Sequence, residues 1–419
     1  MTAFLSSLRG GRIILRAGVL RVAAEKRTIG AASALALVTV SSGQAPRAPI
    51  KIGLLLPYTG VIAINGQETS KGVELYVAKI GNKAGGREIQ LIKEDDEAKP
   101  DVGLTKTRKL VERDRVDVLI GPVHSGVALA IRDYVHAQGI PLIVPVAFTR
   151  DLTAPAKASP WLFRVVETSD QGNFPMGIWV FKKTPYRKIV VMASDFVAGR
   201  HSAEAFIAAF KGAGGEIVKE IYAPLNTPDF APYMAQVSGL TADAVYAWFA
   251  GTDSIRFVKA YREYGLAGKL PLLGYNTLTD DVLLPTLGDA ALGIVTAGHY
   301  SATLDTPENR AFVREYEGRY NAWPTRYVEL GYVSSQLVGA AVEALKGEVG
   351  DRAALRDAIR DAAARIQPPR GPIRFDRFQQ VITDVYVMKV ERQGNRLVNA
   401  IVDRIPNTSQ EESWKWWHK

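Results

Sequence analysis

The chain has 419 residues, 47% apolar and 23% charged, with 37 Gly, 22 Pro and a formal net charge of +9. That balance is too apolar for a disordered chain, too charged for a membrane bundle, and long enough for two or three domains. With no cysteine and only five histidines, disulfides, thiolate metal sites and cysteine nucleophiles are excluded, and a zinc centre has little to build on.

The excess charge is local. Residues 1–45 hold six basic residues and one acid, and beyond them the two signs are interspersed, so nucleic acid is not an expected partner. Lys26 and Arg27 precede an uncharged run over 29–40, and Ser41-Ser42-Gly43-Gln44-Ala45 follows. A basic stretch, an apolar run too short to span a bilayer and a small-residue end predict a secretory signal peptide over 1–45. The stretch before Lys26 is long for such a leader, which points to a start site placed too far upstream. Lacking a cysteine for a lipid anchor, the mature chain is expected to be soluble in the periplasm.

From Ile50 the elements alternate. Residues 50–56 read as a strand, 60–70 as a polar Gly-rich loop, 69–80 as a helix and 88–93 as a strand. A helix over 101–115, a strand over 116–120, a helix over 126–138 and a strand over 140–144 follow. Short strands separated by helices of 10–15 residues predict βαβ units and a parallel sheet covered on both faces. The rhythm restarts with strands at 188–193, 216–222, 244–250 and 270–274, separated by helices at 202–212, 231–240 and 254–264. Two such sets predict two α/β lobes. After a strand at 293–300 come helical stretches at 307–321, 328–345 and 351–366, then strands at 372–375 and 381–391 that should pair. The three late helices either form a third domain or return to cover the first lobe, and the pattern alone allows both.

No enzyme signature survives inspection. The first strand runs into Pro57-Tyr58-Thr59-Gly60-Val61-Ile62 rather than a dinucleotide-binding Gly-rich turn. Val123-His124-Ser125-Gly126 lacks the glycine that a nucleophile elbow needs where Val123 stands. Glu94-Asp95-Asp96-Glu97 lacks calcium-loop spacing and reads as a solvated strand end. What remains is a set of strand ends suited to a ligand: the loop after residue 56, the turn Gly121-Pro122-Val123-His124-Ser125-Gly126 opening a helix, and the rim Val146-Ala147-Phe148. Amides and a hydroxyl at a helix start suit a carboxylate.

The opening Ile52-Gly53-Leu54-Leu55-Leu56-Pro57-Tyr58-Thr59-Gly60 resembles that of the type I periplasmic binding proteins. More narrowly, it resembles the branched-chain amino acid (Leu/Ile/Val-type) substrate-binding proteins of ABC importers. The resemblance continues, in order, through residues 118–125, 141–153, 163–164 with 169–172, 195–199, 244–253 and 371–376. It implies two doubly wound parallel-sheet lobes joined by a three-crossover hinge: 50–166 with 299–372, and 167–298 with 373–419. It also implies no catalysis and no cofactor, a monomer closing on a small carboxylate ligand, and an ABC permease as partner.

Carried over by position, the pocket falls on Asn65, Ser125, Val146, Ala147, Phe148, Ala198, Phe249, Ala250, Gly251, Asn276 and Tyr327. His124, Phe196, Asp253 and Tyr275 are added as candidate cleft residues, and Arg150 and Arg200 as possible carboxylate partners. Trp248 lies mid-strand and reads as core. Leucine-type binders carry tyrosines where Asn65 and Ala198 stand, a rim hydroxyl where Phe148 stands, and an acid for the ligand's ammonium where Asn276 stands. These departures point to an aromatic or other hydrophobic acid lacking an α-amino group, unless Asp253 takes over the ammonium. The alternatives are an ordinary leucine, isoleucine or valine binder, or a sensor module docking on a separate receptor. The tail Trp414-Lys415-Trp416-Trp417-His418-Lys419 is expected to pack against a lobe, or else to touch a membrane surface.

Overall fold

The run Ile-Lys-Ile-Gly-Leu-Leu-Leu over Ile50–Leu56 (β1) is interrupted only by Lys51 and Gly53, and it becomes a buried central strand. In the computed structural model, residues 47–417 are described. The expected signal peptide, His418 and Lys419 lie outside them, as do the side chains of Trp416 and Trp417. After β1 come β2 (Lys83–Ala84), β3 (Arg87–Asp95), β4 (Val118–Ile120), β5 (Leu142–Val144) and β6 (Leu162–Arg164). They form one sheet in the order β2-β3-β1-β4-β5-β6, parallel throughout except at the β2–β3 edge. Helices α1 (Ala63–Lys79), α2 (Pro100–Arg108) and α3 (Ser125–Gln138) connect these strands.

The second sheet takes β7 (Lys188–Ser194), β8 (Glu216–Ala223), β9 (Ala244–Trp248), β10 (Leu272–Tyr275) and β11 (Val295–Gly298), all parallel. Two later strands, β12 (Arg374–Phe375) and β13 (Val381–Gln393), join it antiparallel, giving the order β12-β13-β11-β10-β9-β7-β8. The strand β14 (Arg396–Thr408) pairs with β13 in a long hairpin. Helices α4 (Ser169–Lys183), α5 (Val197–Gly212), α6 (Ala231–Ser238), α7 (Thr252–Glu263) and α8 (Leu284–Leu287) accompany this sheet.

The remaining helices settle the choice left open by the sequence. Of α9 (Pro307–Tyr320), α10 (Arg326–Ala344) and α11 (Arg352–Ala362), α10 lies along α1, with α11 against it. Phe312 of α9 packs on Tyr332 of α10, 4.8 Å between ring centres. The late helices thus return to the first lobe. The chain crosses between the sheets three times, at 165–168, 299–306 and 363–373. Separate apolar clusters fill the outer faces: Leu55, Val127, Ile131 and Leu142 in one lobe, Phe230, Phe249, Phe257 and Tyr261 in the other.

Two elements differ from expectation for a shared reason. The expected loop 60–70 is helical from Ala63, and α4 was not foreseen. Both helices bury polar residues: Asn65, Glu68, Thr69 and Ser70 in α1, and Ser169, Asp170, Gln171 and Asn173 in α4. In α1 these residues bond within the helix or to Tyr316 and Tyr327 of α9 and α10, and in α4 Gln171 and Asn173 reach Val381, Thr408 and Tyr246, so the usual apolar stripe is missing. A cap does mark the start of α4: Thr168 accepts from the Gln171 amide while the Gln171 side chain accepts from Thr168 N–H. The last helix, α12 (Gln410–Trp417), docks on the chain after β12, where Trp414 meets Phe378 edge-on at 5.6 Å and Gln410 donates to Asp376 at 2.6 Å. No helix among the described residues is long and apolar enough to cross a membrane.

Candidate ligand-binding cleft

Parallel sheets place their ligands beyond the carboxyl ends of the strands, and here the strand ends of both sheets face a common slot. The first lobe supplies Ile62, Asn65, Val123, His124, Ser125, Val146 and Phe148. Phe196, Ala198, Trp248, Ala250, Tyr275 and Thr277 come from the second lobe, and Arg326 and Tyr327 from the start of α10. The slot is narrow, with about 30 Å³ of free volume. Its rings form a row. His124 stacks on Phe196 at 5.3 Å, Phe196 meets Trp248 at 5.6 Å, Trp248 faces Phe148 at 6.4 Å, and Phe148 tilts against Tyr275 at 4.6 Å. A methyl group on Gly172 would run into Tyr275 and Phe148 together, so glycine there lets α4 approach the wall.

Polar groups mark both ends of this row. At one end the Ser125 hydroxyl, in the first turn of α3, accepts from the amides of Phe148 and Thr149 at 3.0 and 3.1 Å, which leaves its proton free to donate. Beside it, burial pushes the His124 imidazole down to about 4, so the ring is neutral at physiological pH. At the other end Asn65 donates to the Tyr327 hydroxyl at 2.9 Å, and Arg326 donates from Nη2 to the Tyr275 hydroxyl, also at 2.9 Å. His124 Nδ1, Trp248 Nε1, Thr277 Oγ1 and Arg326 Nε are buried around the slot with no partner among the described residues. Buried polar atoms are normally satisfied. Four orphans on one slot are the signature of a polar ligand.

A larger cavity of about 600 Å³ lies between α1, α9 and the tip of the β13–β14 hairpin. Its charged walls are already occupied with one another or with neighbours: Lys71 with Glu68 at 2.5 Å, Arg396 with Glu317 at 2.9 Å, and Arg392 with Asp289. The strand-end slot, not this cavity, has unsatisfied groups to offer.

Of the residues singled out in the sequence, Asn65, His124, Ser125, Val146, Phe148, Phe196, Ala198, Ala250, Tyr275 and Tyr327 stand on the slot walls. Five do not. Phe249 alternates to the opposite face of its sheet and stacks on Phe257 at 4.4 Å. Ala147 likewise faces the outer cluster around Leu142 and Leu152. Asn276 turns its amide to the sulfur of Met388, 3.6 Å away. Asp253 pairs with Arg256 at 2.5 Å and accepts from the Asn226 amide at 2.7 Å, away from the slot. Gly251 contributes backbone only: with φ 60° and ψ −138° it turns tightly under the Val61 carbonyl, where a side chain would collide. Trp248, expected in the core, ends its strand and borders the slot. Arg200 pairs with Asp195 at 2.6 Å on the surface. Arg326 was missed, since nothing in its sequence context distinguishes it from a solvated charge.

A model of the family described as "periplasmic binding protein" matches residues 49–395. The chain belongs to the periplasmic binding proteins. It is 30% identical over 368 residues to the Leu/Ile/Val-binding protein homolog 6 of Brucella melitensis, covering 86% of this chain and 93% of that one. A solute-binding protein of an ABC transporter from Rhodopseudomonas palustris, solved with benzoate, is 34% identical with a TM-score of 0.80, over 86% of this chain and 98% of that one. Another from Rhodopseudomonas palustris, solved with 3,4-dihydroxybenzoic acid, is 30% identical with a TM-score of 0.80, over 86% and 98% of the two chains. The chain is therefore a substrate-binding protein of the ABC-importer class and works in the periplasm.

As expected of a two-lobed binding protein, the lobes of this periplasmic binding protein meet across the slot. Thr252 N–H donates to Val61 O at 3.3 Å, and Thr149 Oγ1 lies 2.9 Å from His201 Nδ1. Arg150, considered from sequence as a carboxylate partner, instead reaches Asp170 and Glu204 at 2.9 Å each and the His201 carbonyl at 2.8 Å. Behind the slot, buried charges tie the three crossovers together. Glu167 of the first accepts from the Tyr275 hydroxyl and stands 2.7 Å from Nδ1 of His299 in the second. His299 Nε2 lies 3.5 Å from Glu329, which holds Arg370 of the third crossover in a bidentate pair at 2.8 and 2.6 Å. Burial alone would raise Glu167, but His299, Arg326 and Tyr275 outweigh it and hold it down to about 2. Burial likewise opposes the charge of Glu329, and Arg370 and His299 hold it below the usual carboxylate range. A continuous polar chain thus runs from Arg326 on the slot wall to the hinge.

Proposed function

We propose that this chain captures a small carboxylic acid lacking an α-amino group, an aromatic or other hydrophobic acid being favoured, and delivers it to an ABC permease. One observation carries the reading: among the described residues no Asp or Glu lines the slot, whose walls hold the neutral His124 ring and the cation Arg326. An amino acid would bring an ammonium group with no counter-charge, at a cost of several kcal/mol. Asp253, the acid that the sequence offered for it, is engaged by Arg256 and Asn226. The five aromatic wall side chains Phe148, Phe196, Trp248, Tyr275 and Tyr327 favour a flat apolar body, and the Ser125 hydroxyl with the α3 amides receives a carboxylate. The benzoate-bound relative agrees with this reading.

The lobes in this account are 50–166 with 299–372, and 167–298 with 373–419, with residues 1–45 as a cleaved signal peptide. The protein acts as a monomer whose closed form ligand stabilises, and that closed form is what the permease receives. Its role is binding without turnover: the Ser125 hydroxyl is held by two amides, and His124 stacks on Phe196 rather than serving it as a base. A second reading, a leucine, isoleucine or valine binder, is favoured by the name of the Brucella relative. Thermal unfolding against benzoate, phenylpropenoate, leucine, isoleucine and valine separates the two. Ligand at about 100 times its Kd should add about 2.7 kcal/mol of stability. Stabilisation by the acids and not by the amino acids is the expected result; the reverse would overturn the proposal.

A further inference from the structure

Among the described residues three arginines are buried, and two are accounted for within the protein. Arg164 donates to the carbonyl of Thr149 and to the side chains of Gln380 and Thr153. Arg370 is neutralised by Glu329. Arg326 is different. It is 2% exposed, it lines the slot, and among the described residues no carboxylate forms an ion pair with it, Glu167 and Asp280 acting on it only at longer range. Its ring neighbours are Tyr275 and Tyr327, at 5.2 and 4.9 Å from the guanidinium, its Nη2 donates to the Tyr275 hydroxyl, and its Nε has no partner. A buried guanidinium left so incompletely engaged is built to meet an acceptor that arrives from outside.

Its position adds the chemistry of that acceptor. The ring contacts run from His124, beside Ser125, through Phe196, Trp248 and Phe148 to Tyr275, on which Arg326 lies, so hydroxyl and guanidinium are two separate polar groups on the walls of an apolar slot. A ligand with one polar end would leave the other unsatisfied. We propose that Arg326 is a specificity-determining residue, and that the slot prefers aromatic acids bearing a second oxygen, a phenolic hydroxyl or a second carboxylate, para to the first. This rests on the aromatic-acid reading above and narrows it.

The test is calorimetric titration of the purified protein with benzoate, 4-methylbenzoate, 4-hydroxybenzoate and benzene-1,4-dicarboxylate. At least one para-oxygenated acid should bind tenfold or more tighter than both benzoate and 4-methylbenzoate, the methyl compound controlling for size. The hydroxy and dicarboxylate arms show which oxygen Arg326 takes. In Arg326→Gln that advantage should fall below about threefold. Should Arg326→Gln fail to fold, the wild-type comparison decides alone. If benzoate and 4-methylbenzoate bind as tightly as both oxygenated acids, or the advantage survives in Arg326→Gln, the assignment is wrong and the aromatic-acid reading stands. If no aromatic acid binds and leucine does, that reading falls, and this inference with it.

Discussion

Glu167→Gln removes one negative charge from the buried chain that links slot and hinge, while keeping size and shape. In the native protein Glu167 is fully buried, accepts from the Tyr275 hydroxyl and faces His299 at 2.7 Å. A shift from 4.5 to about 2 amounts to about 3 kcal/mol of stability at neutral pH, at about 1.4 kcal/mol per pH unit. A carboxylate held below its unfolded value stabilises the fold above that value, and the contribution fades as pH falls from near 4.5 towards 2. The variant should therefore lose about 3–5 kcal/mol at pH 7, since the contacts that His299, Arg326 and Tyr275 make to the buried carboxylate are weakened together. The deficit should shrink by about half by pH 3, where the native carboxyl begins to take up its own proton. Urea unfolding of both proteins at pH 7, 5, 4 and 3 reads this out, and other carboxylates cancel in the difference. A deficit under about 1 kcal/mol at pH 7, or one undiminished at pH 3, would refute the reasoning.

Other substitutions probe closure and ligand contact. Gly251→Ala strains a backbone held at φ 60° and puts a methyl group against the Val61 carbonyl where the lobes meet. Ligand affinity should fall tenfold or more, and small-angle scattering should show the variant more open than the native protein at equal ligand concentration. Ser125→Ala leaves the Phe148 and Thr149 amides without their acceptor. It should lower stability by about 1–3 kcal/mol and weaken acid binding by at least tenfold, measured by denaturation and calorimetry. His124 should contribute no titration to ligand affinity between pH 5.5 and 8, because burial keeps its ring neutral there; an inflection that vanishes in His124→Gln would contradict that.

Much of this architecture was legible in the chain because parallel strands buried on both faces are apolar throughout. Residues 50–56 and 188–193 announced themselves, and the observed β1 and β7 match them closely. Elements that bury polar residues were harder. The early turns of α1 and α4 carry Asn65, Thr69, Asp170 and Asn173 inward, so their composition imitates loops. At the cleft, strand ends and helix starts marked the right neighbourhood, yet facing was decided one residue at a time. Trp248 borders the slot while its neighbour Phe249 is turned to the far side of the sheet, an alternation that depends on where β9 stops. Asn276 was weighted for replacing an acid, but its side chain faces Met388, and the missing counter-charge is seen instead in the whole set of wall residues. Arg326 escaped notice because a lone arginine after the cap residue Thr325 reads as solvated, and only the packing of Tyr275 and Tyr327 around it shows otherwise.

The central claim is that the cleft takes an acid and refuses an amino acid of similar size. Calorimetric titration of one protein preparation with benzoate and with leucine, at the same pH and concentration, tests it most directly. Saturable heat from benzoate with none from leucine is the predicted result. Saturation by leucine with silence from benzoate would contradict it, and would mean that some group outside the present slot walls supplies a charge for the ammonium.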